Sequence, residues 1–62
     1  MKQLSIKAVR INCGMTQQDL ANKLGITAKS ISDLENGRVP IKPLHIFAIA
    51  YACNIDADKI RI

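Results

Sequence analysis

Apolar residues recur at helical spacing along most of this chain, and glycine or proline separates the helical segments. One face of a predicted first helix over residues 4–13 holds Ile6, Val9, Arg10 and Cys13. Gly14 follows as the expected stop, because glycine readily takes the left-handed backbone that ends a helix.

Two further helices carry clearer start and stop signals. Thr16 is a good N-cap for the second helix, and Asp19 three residues later completes a capping-box pattern. Gly25 is expected to end that helix. The third helix begins after Thr27, and the turn sequence at residues 36–37 closes it.

The remaining third of the chain predicts a long helix and a short one. Pro43 suits the first turn of a fourth helix over residues 43–53, with Asn54 as its stop. This helix is apolar almost all round, which predicts burial on several sides. Asp56 is expected to cap a short fifth helix containing Ile60. The pattern therefore predicts one all-α domain over residues 1–62.

The joint between the second and third helices is the informative element. Gly25, Ile26 and Thr27 leave too little chain for an antiparallel pair, so the third helix is expected to cross the second steeply, with Ile26 packed beneath both. This is helix-turn-helix geometry, in which the second helix of the unit enters the DNA major groove. Helical arithmetic at about 100° per residue places Lys29 and Asp33 outward.

The outward residues of the third helix have side chains suited to base edges. Lys29 donates to guanine, and Asp33 accepts from the cytosine amino group. Ser32 pairs with several bases, and the Ala28 methyl contacts thymine. The alternative is a solvated face on which Lys29 and Asp33 form an i,i+4 ion pair.

Charge and polar termini favour an anionic partner. The net charge is +4 and the pI is about 9.4, a balance that favours nucleic acid. The predicted phosphate contacts lie at helix N-termini and in the loop after the third helix: Thr16, Gln17, Gln18, Thr27, Asn36, Arg38 and Lys42. The alternative for the loop is a polar segment that keeps the chain in solution.

Other classes of protein find little support. Cys13 and Cys53 lie forty residues apart; two small buried thiols are favoured over a disulfide, and with His45 they supply too few ligands for zinc. We expect no metal, no cofactor and no enzymatic activity, because no nucleophile–base constellation or phosphate loop occurs. No signal peptide or membrane span is evident, which predicts a cytoplasmic protein.

Several motifs together resemble the Cro/repressor-type helix-turn-helix domains of phage and bacterial regulators, the XRE family. The matching segments are GMTQQDLA at residues 14–21, LGIT at 24–27 and ISDLENG at 31–37. The resemblance covers residues 6–60 and implies a compact five-helix, lambda-repressor-like fold. It also implies a structural, largely buried ion pair between Arg10 and Glu35, and base-facing positions at Ala28, Lys29 and Asp33.

The resemblance further implies a homodimer, a state that a core this small also favours. The expected interface is the apolar tail formed by Ile55, Ala57, Ile60 and Ile62; ordinary core packing is the alternative. We therefore expect a transcriptional regulator, a repressor, that binds double-stranded DNA at a palindromic operator without a small-molecule effector. The competing hypothesis is a protein-interaction module, such as an antitoxin or accessory subunit with weak DNA binding.

Overall fold

A computed structural model describes residues 3–61 of the chain. In this range the backbone forms four α-helices and one turn of 3-10 helix. The α-helices are α1 (Ile6–Asn12), α2 (Gln17–Leu24), α3 (Ala28–Glu35) and α4 (Pro43–Cys53). The all-α prediction is confirmed, but the expected fifth helix is only the 3-10 turn Ala57–Lys59.

Side-chain caps fix the starts of the first three helices. Ser5 caps α1, because its Oγ accepts from the Ala8 amide at 3.1 Å. At the start of α2, the Thr16 hydroxyl accepts from the Asp19 amide while the Asp19 carboxylate accepts from the Thr16 amide, both at 3.0 Å. The predicted capping box is therefore present. Thr27 caps α3 through the Ser30 amide at 3.1 Å.

The predicted first helix was too long at its N-terminus. Leu4 is extended instead and pairs with the C-terminal segment: its amide donates to the Lys59 carbonyl, and its carbonyl accepts from the Arg61 amide, both at 2.7 Å. A helical Leu4 at the start of α1 would have no intrahelical acceptor for its amide. Pairing with the C-terminal segment satisfies both its amide and its carbonyl. Their partner lies more than fifty residues away, so local periodicity could not indicate them.

A small aliphatic core joins all four α-helices. Its fully buried members include Leu20 in α2, Ile31 in α3 and Ile49 in α4, each with no exposed surface. The other buried apolar residues are Ile6, Val9, Ala21, Leu34, Ile46, Ala50 and Ile60. No aromatic side chain of the described residues belongs to this core.

Burial of α4 on several sides is a wrong prediction. Its inner side packs on α1 and α2, but Leu44, Phe47 and Tyr51 are 75%, 62% and 90% exposed. An apolar pattern that runs all round a helix does not say how many neighbours the helix has. In a chain this short, the other helices cover only one side of α4.

The predicted dimer tail also needs correction. Ile60 is 2% exposed and belongs to the core of its own chain, so it has almost no surface to offer a second copy. Ile55 and Ala57 are partly buried against the same core. Ile62 lies outside the described residues. The alternative of ordinary core packing describes this tail better.

A buried ion pair joins α1 to the end of α3. Arg10 donates from Nε to Glu35 Oε2 at 2.6 Å and from Nη2 to Oε1 at 3.2 Å. Arg10 Nη1 also donates to the Met15 carbonyl at 2.9 Å. The Glu35 side chain is only 2% exposed. Because every nitrogen of the guanidinium and both carboxylate oxygens make hydrogen bonds, the pair offsets part of the large cost of removing both ions from water.

A disulfide links the end of α1 to the end of α4. Cys13, the C-cap of α1, is joined to Cys53, the last residue of α4, and their Cα atoms are 5.8 Å apart. The preference for two separate buried thiols is therefore corrected. The bond closes a loop of forty residues that contains both α2 and α3.

Replacing one partner of the ion pair should destabilise the chain more than replacing both partners with apolar residues. We expect Arg10→Met to cost about 3–5 kcal/mol of unfolding free energy, because the Glu35 carboxylate is left buried without a partner. Arg10→Met/Glu35→Leu should recover most of that loss. Urea denaturation followed by circular dichroism measures both. Arg61→Met is the control, since Arg61 is exposed. A double variant no more stable than Arg10→Met would contradict this account.

Reduction of the disulfide should lower the stability of the fold, because the unfolded chain regains the entropy that the closed loop removes. Loop-closure entropy for forty residues amounts to about 4 kcal/mol. We expect dithiothreitol to lower the urea midpoint, and Cys13→Ser/Cys53→Ser to match the reduced protein with no further response to reductant. Equal urea midpoints for the oxidised and reduced protein would show that the disulfide does not stabilise the fold.

Candidate nucleic-acid interface

The segment from α2 to α3 forms a helix, a tight turn and a second helix. Gly25 ends α2 with φ +72°, a left-handed conformation that residues with a Cβ adopt only at a cost. The Ile26 amide then donates back to the Ala21 carbonyl at 3.0 Å. The Ile26 side chain is exposed, so the expectation that it packs beneath both helices was wrong.

The inner side of α3 anchors the helix and leaves the opposite side free. Ile31 and Leu34 are buried, and Glu35 is held by Arg10. Lys29 and Asp33 lie on the outer side; the Lys29 side chain is 84% exposed, whereas that of Asp33 is only 15% exposed. This division is the one that helical arithmetic predicted, and it presents a polar face to the surroundings.

An acidic residue organises the cations of this face. Asp33 Oδ2 accepts from Lys29 Nζ at 3.0 Å, and Oδ1 accepts from Arg38 Nη1 at 3.3 Å. The i,i+4 pair considered as an alternative is therefore formed in the free chain. The contact with Arg38 was not predicted. Arg38 lies beyond the end of α3, five residues from Asp33, and the i,i+4 spacing applies only to residues within one helix.

These bonds also set the titration of Asp33. The hydrogen bond from Lys29 is the main cause that lowers the pKa of Asp33 below its ordinary 3.8, with Arg38 acting in the same direction and partial desolvation opposing both. A lowered pKa means that the ionised carboxylate stabilises the fold. That contribution is complete above pH 3.8 and is lost as the pH falls through the lowered value.

The other predicted base-contacting positions are less exposed than Lys29. Ala28 is partly buried against the core, which leaves only part of its methyl surface for a ligand. Ser32 is also partly buried, and its Oγ accepts from Asn36 Nδ2 at 3.1 Å. The same Asn36 amide donates to the Ser32 carbonyl at 2.8 Å. Asn36 is thus held against the end of α3.

The two glutamines at the start of α2 have different surroundings. Gln17 Nε2 donates to Glu35 Oε1 at 3.1 Å, so the Gln17 side chain belongs to the buried ion pair. Gln18 is exposed and donates to Asn22 Oδ1 at 2.9 Å. Sequence reasoning treated them alike, although Gln17 lies three and four residues before Leu20 and Ala21 and therefore shares the inner side of α2.

The threonine caps and the loop cations complete the predicted contacts. Thr16 and Thr27 are exposed, and each hydroxyl oxygen caps a helix. The Thr27 hydroxyl also lies 3.0 Å from Ser30 Oγ, where either oxygen can be the donor. Arg38 and Lys42 are exposed in the segment between α3 and α4. The Lys42 amide donates to His45 Nδ1 at 3.0 Å, which makes His45 a capping residue of α4.

Metal sites and membrane-spanning helices find no support in the described residues. Within residues 3–61, no group of three His, Cys, Asp or Glu residues is placed to hold a metal ion. No helix in that same range has the length and apolar character needed to span a membrane.

The fold and this face define a class of protein, a small helix-turn-helix domain with an exposed, polar second helix. The family model described as helix-turn-helix matches residues 6–60, most of the chain. The chain therefore belongs to this family of Cro/repressor-type, XRE regulators, as its motifs indicated. The match identifies the chain as a protein of the DNA-binding transcription-regulator type.

The link between Lys29 and Asp33 can be tested without DNA. Lys29→Ala removes the main cause of the lowered pKa, so we expect the pKa of Asp33 to rise towards 3.8. Lys23→Ala removes another exposed lysine, from α2, and should leave the Asp33 titration unchanged. A pH titration of the carboxyl carbon by NMR measures both. An unaltered Asp33 pKa in Lys29→Ala would contradict the assigned contact.

Proposed function

We propose that this chain is a sequence-specific DNA-binding repressor that acts as a homodimer on a palindromic operator. The observation that carries the proposal is the outer face of α3, where an 84% exposed Lys29 and an ionised Asp33 stand on a helix anchored by Ile31 and Leu34. A helix of this kind fits the major groove, where base edges display donors and acceptors.

Base reading is assigned to the outer face of α3. Lys29 donates to guanine, Asp33 accepts from the cytosine amino group, and Ser32 serves as a shorter donor or acceptor. Ala28 contributes a methyl contact to thymine at the N-terminal end. Since Asp33 repels phosphate and tolerates few bases, its presence favours a strict site over tight binding to any sequence.

Phosphate contacts are assigned to the two helix starts and to the loop after α3. The side chains proposed are Thr16, Gln18, Thr27, Asn36, Arg38 and Lys42. Gln17 contributes through its backbone amide in the first turn of α2, because its side chain is bonded to Glu35. Lys29 and Arg38 must exchange Asp33 for DNA, so part of their attraction to DNA is offset by the lost ion pairs.

A dimer of this kind could repress transcription by occupying the promoter. Two copies related by a two-fold axis would place their α3 helices about 34 Å apart, on one face of the duplex. A dimer bound over a promoter would exclude the polymerase without any effector. We place this action in the cytoplasm of a bacterial or phage-infected cell, at the nucleoid.

A second function is favoured by one observation. The exposed apolar side of α4, with Leu44, Phe47 and Tyr51, is the kind of surface that contacts another protein. A protein-interaction module such as an antitoxin subunit would use it, with weak DNA binding. A selection experiment separates the two, because only the repressor requires an enriched DNA sequence.

Selection from a random duplex library at two salt concentrations tests the proposal. We expect enrichment of an approximate palindrome with half-sites about one helical turn apart. Lys29→Ala should relax preference at one position of each half-site by about 1–3 kcal/mol. Lys59→Ala, on the 3-10 turn, is the control and should keep the full motif.

Binding without any enriched sequence, and lost as salt rises, would reject the repressor. It would mean that the +4 charge alone attracts DNA. The interaction module would then be the better description of this chain.

A further inference from the structure

We propose that two copies of this chain pair through the outer face of α4. The inference rests on the proposed homodimer and names its interface, which differs from the C-terminal tail that the sequence suggested. The outer face of α4 is defined here as Leu44, Phe47, Ala48 and Tyr51. Three of these residues are largely exposed and Ala48 is partly exposed.

The chain places its only aromatic side chains on this face. The sequence has one phenylalanine, one tyrosine and no tryptophan, and Phe47 and Tyr51 are 62% and 90% exposed. Aromatic rings offer more apolar area than any other side chain, so a fold stabilised by its own core alone would bury them first. Here the core is aliphatic and the rings face outward, which marks a surface that contacts another molecule.

The outer face also has a complementary feature beside it. A groove of about 360 Å³ runs between α4 and the turn after α2, and it is lined by Leu24, Ile26, Leu44 and Ala48 among others. Phe47 and Tyr51 form a ridge on the same helix. A two-fold interface brings the same patch of both copies together. A ridge beside a groove therefore allows each copy to seat an aromatic ring in the groove of the other.

Charge favours a second copy over a charged partner. Pro43–Cys53 contains no Asp, Glu, Lys or Arg, so the outer face has no ion to desolvate or to match. Each copy carries +4, and contact elsewhere on the surface would bring lysines and arginines together. Pairing through an uncharged helix keeps those cations apart and leaves them available to DNA.

The apolar area exposed on the outer face of α4 is in the range that a small dimer interface buries. Two aromatic side chains at about 150–250 Å² each, with Leu44 and the groove, give roughly 500 Å² per copy. Two copies would then bury about 1,000 Å², the lower bound for a specific interface. The tail offers less, because Ile60 already lies in the core.

Analytical ultracentrifugation without DNA tests the assignment. We expect the wild-type chain to form dimers at micromolar concentrations, and Phe47→Glu/Tyr51→Glu to raise the dissociation constant about 30-fold or more, as for residues at the centre of an interface. Ile11→Glu is the control, since Ile11 is an exposed apolar residue on α1; it should leave the dimer intact. Circular dichroism and urea denaturation establish that each variant is folded.

Two results would overturn the interface. One is a wild-type chain that stays monomeric at all concentrations, which includes the case in which a different protein occupies this face. The other is a folded Phe47→Glu/Tyr51→Glu variant that dimerises like the wild type. Neither result concerns DNA reading, which is measured separately on a duplex carrying one half-site. A folded, monomeric variant that still prefers that half-site retains the proposed reading of DNA; loss of the preference from both proteins would reject the repressor and leave the interface standing.

Discussion

The bidentate contact between Arg10 and Glu35 is the constraint on which the rest of the structure depends. It joins α1 to the last residue of α3, and the same guanidinium holds the Met15 carbonyl in the connection to α2. Gln17 adds a bond from the first turn of α2 to the same carboxylate. One buried ion pair therefore fixes three helices relative to one another. Because the core is so small, apolar packing elsewhere would not compensate for loss of this ion pair.

This constraint has a direct consequence for the outer side of α3. With Glu35 fixed from within, and with Ile31 and Leu34 buried, α3 cannot rotate about its axis, so the residues on its outer side are presented in one orientation. Asp33 then orders that outer side by holding Lys29 and Arg38. A helix that is rigid before it meets a ligand loses less conformational freedom on binding. The inner and outer carboxylates of α3 thus have separate roles: one maintains the fold and the other arranges the cations.

The apolar residues include a buried aliphatic core and an exposed set on the outer side of α4. Aliphatic side chains from every α-helix form the core, whereas both aromatic rings lie on the outer side of α4. The disulfide between Cys13 and Cys53 and the backbone pairing of Leu4 with the C-terminal segment tie the periphery of the chain together. These links hold the inner side of α4 in place without any use of its outer side. The chain therefore retains an uncharged apolar surface that its own fold does not need.

The sequence by itself determined the features that depend on neighbours within one or two helical turns. The capping box of Thr16 and Asp19, the left-handed Gly25 and Asn54, and the inward position of Ile31 and Leu34 all follow from local spacing. The Arg10–Glu35 contact was reached only through the family resemblance. Tertiary structure alone decided that Ile60 is core, that the two cysteines meet, and that one side of α4 stays uncovered. Each of these depends on which distant segments come into contact, and a pattern read along the chain registers only the residues that a single helix or turn brings together.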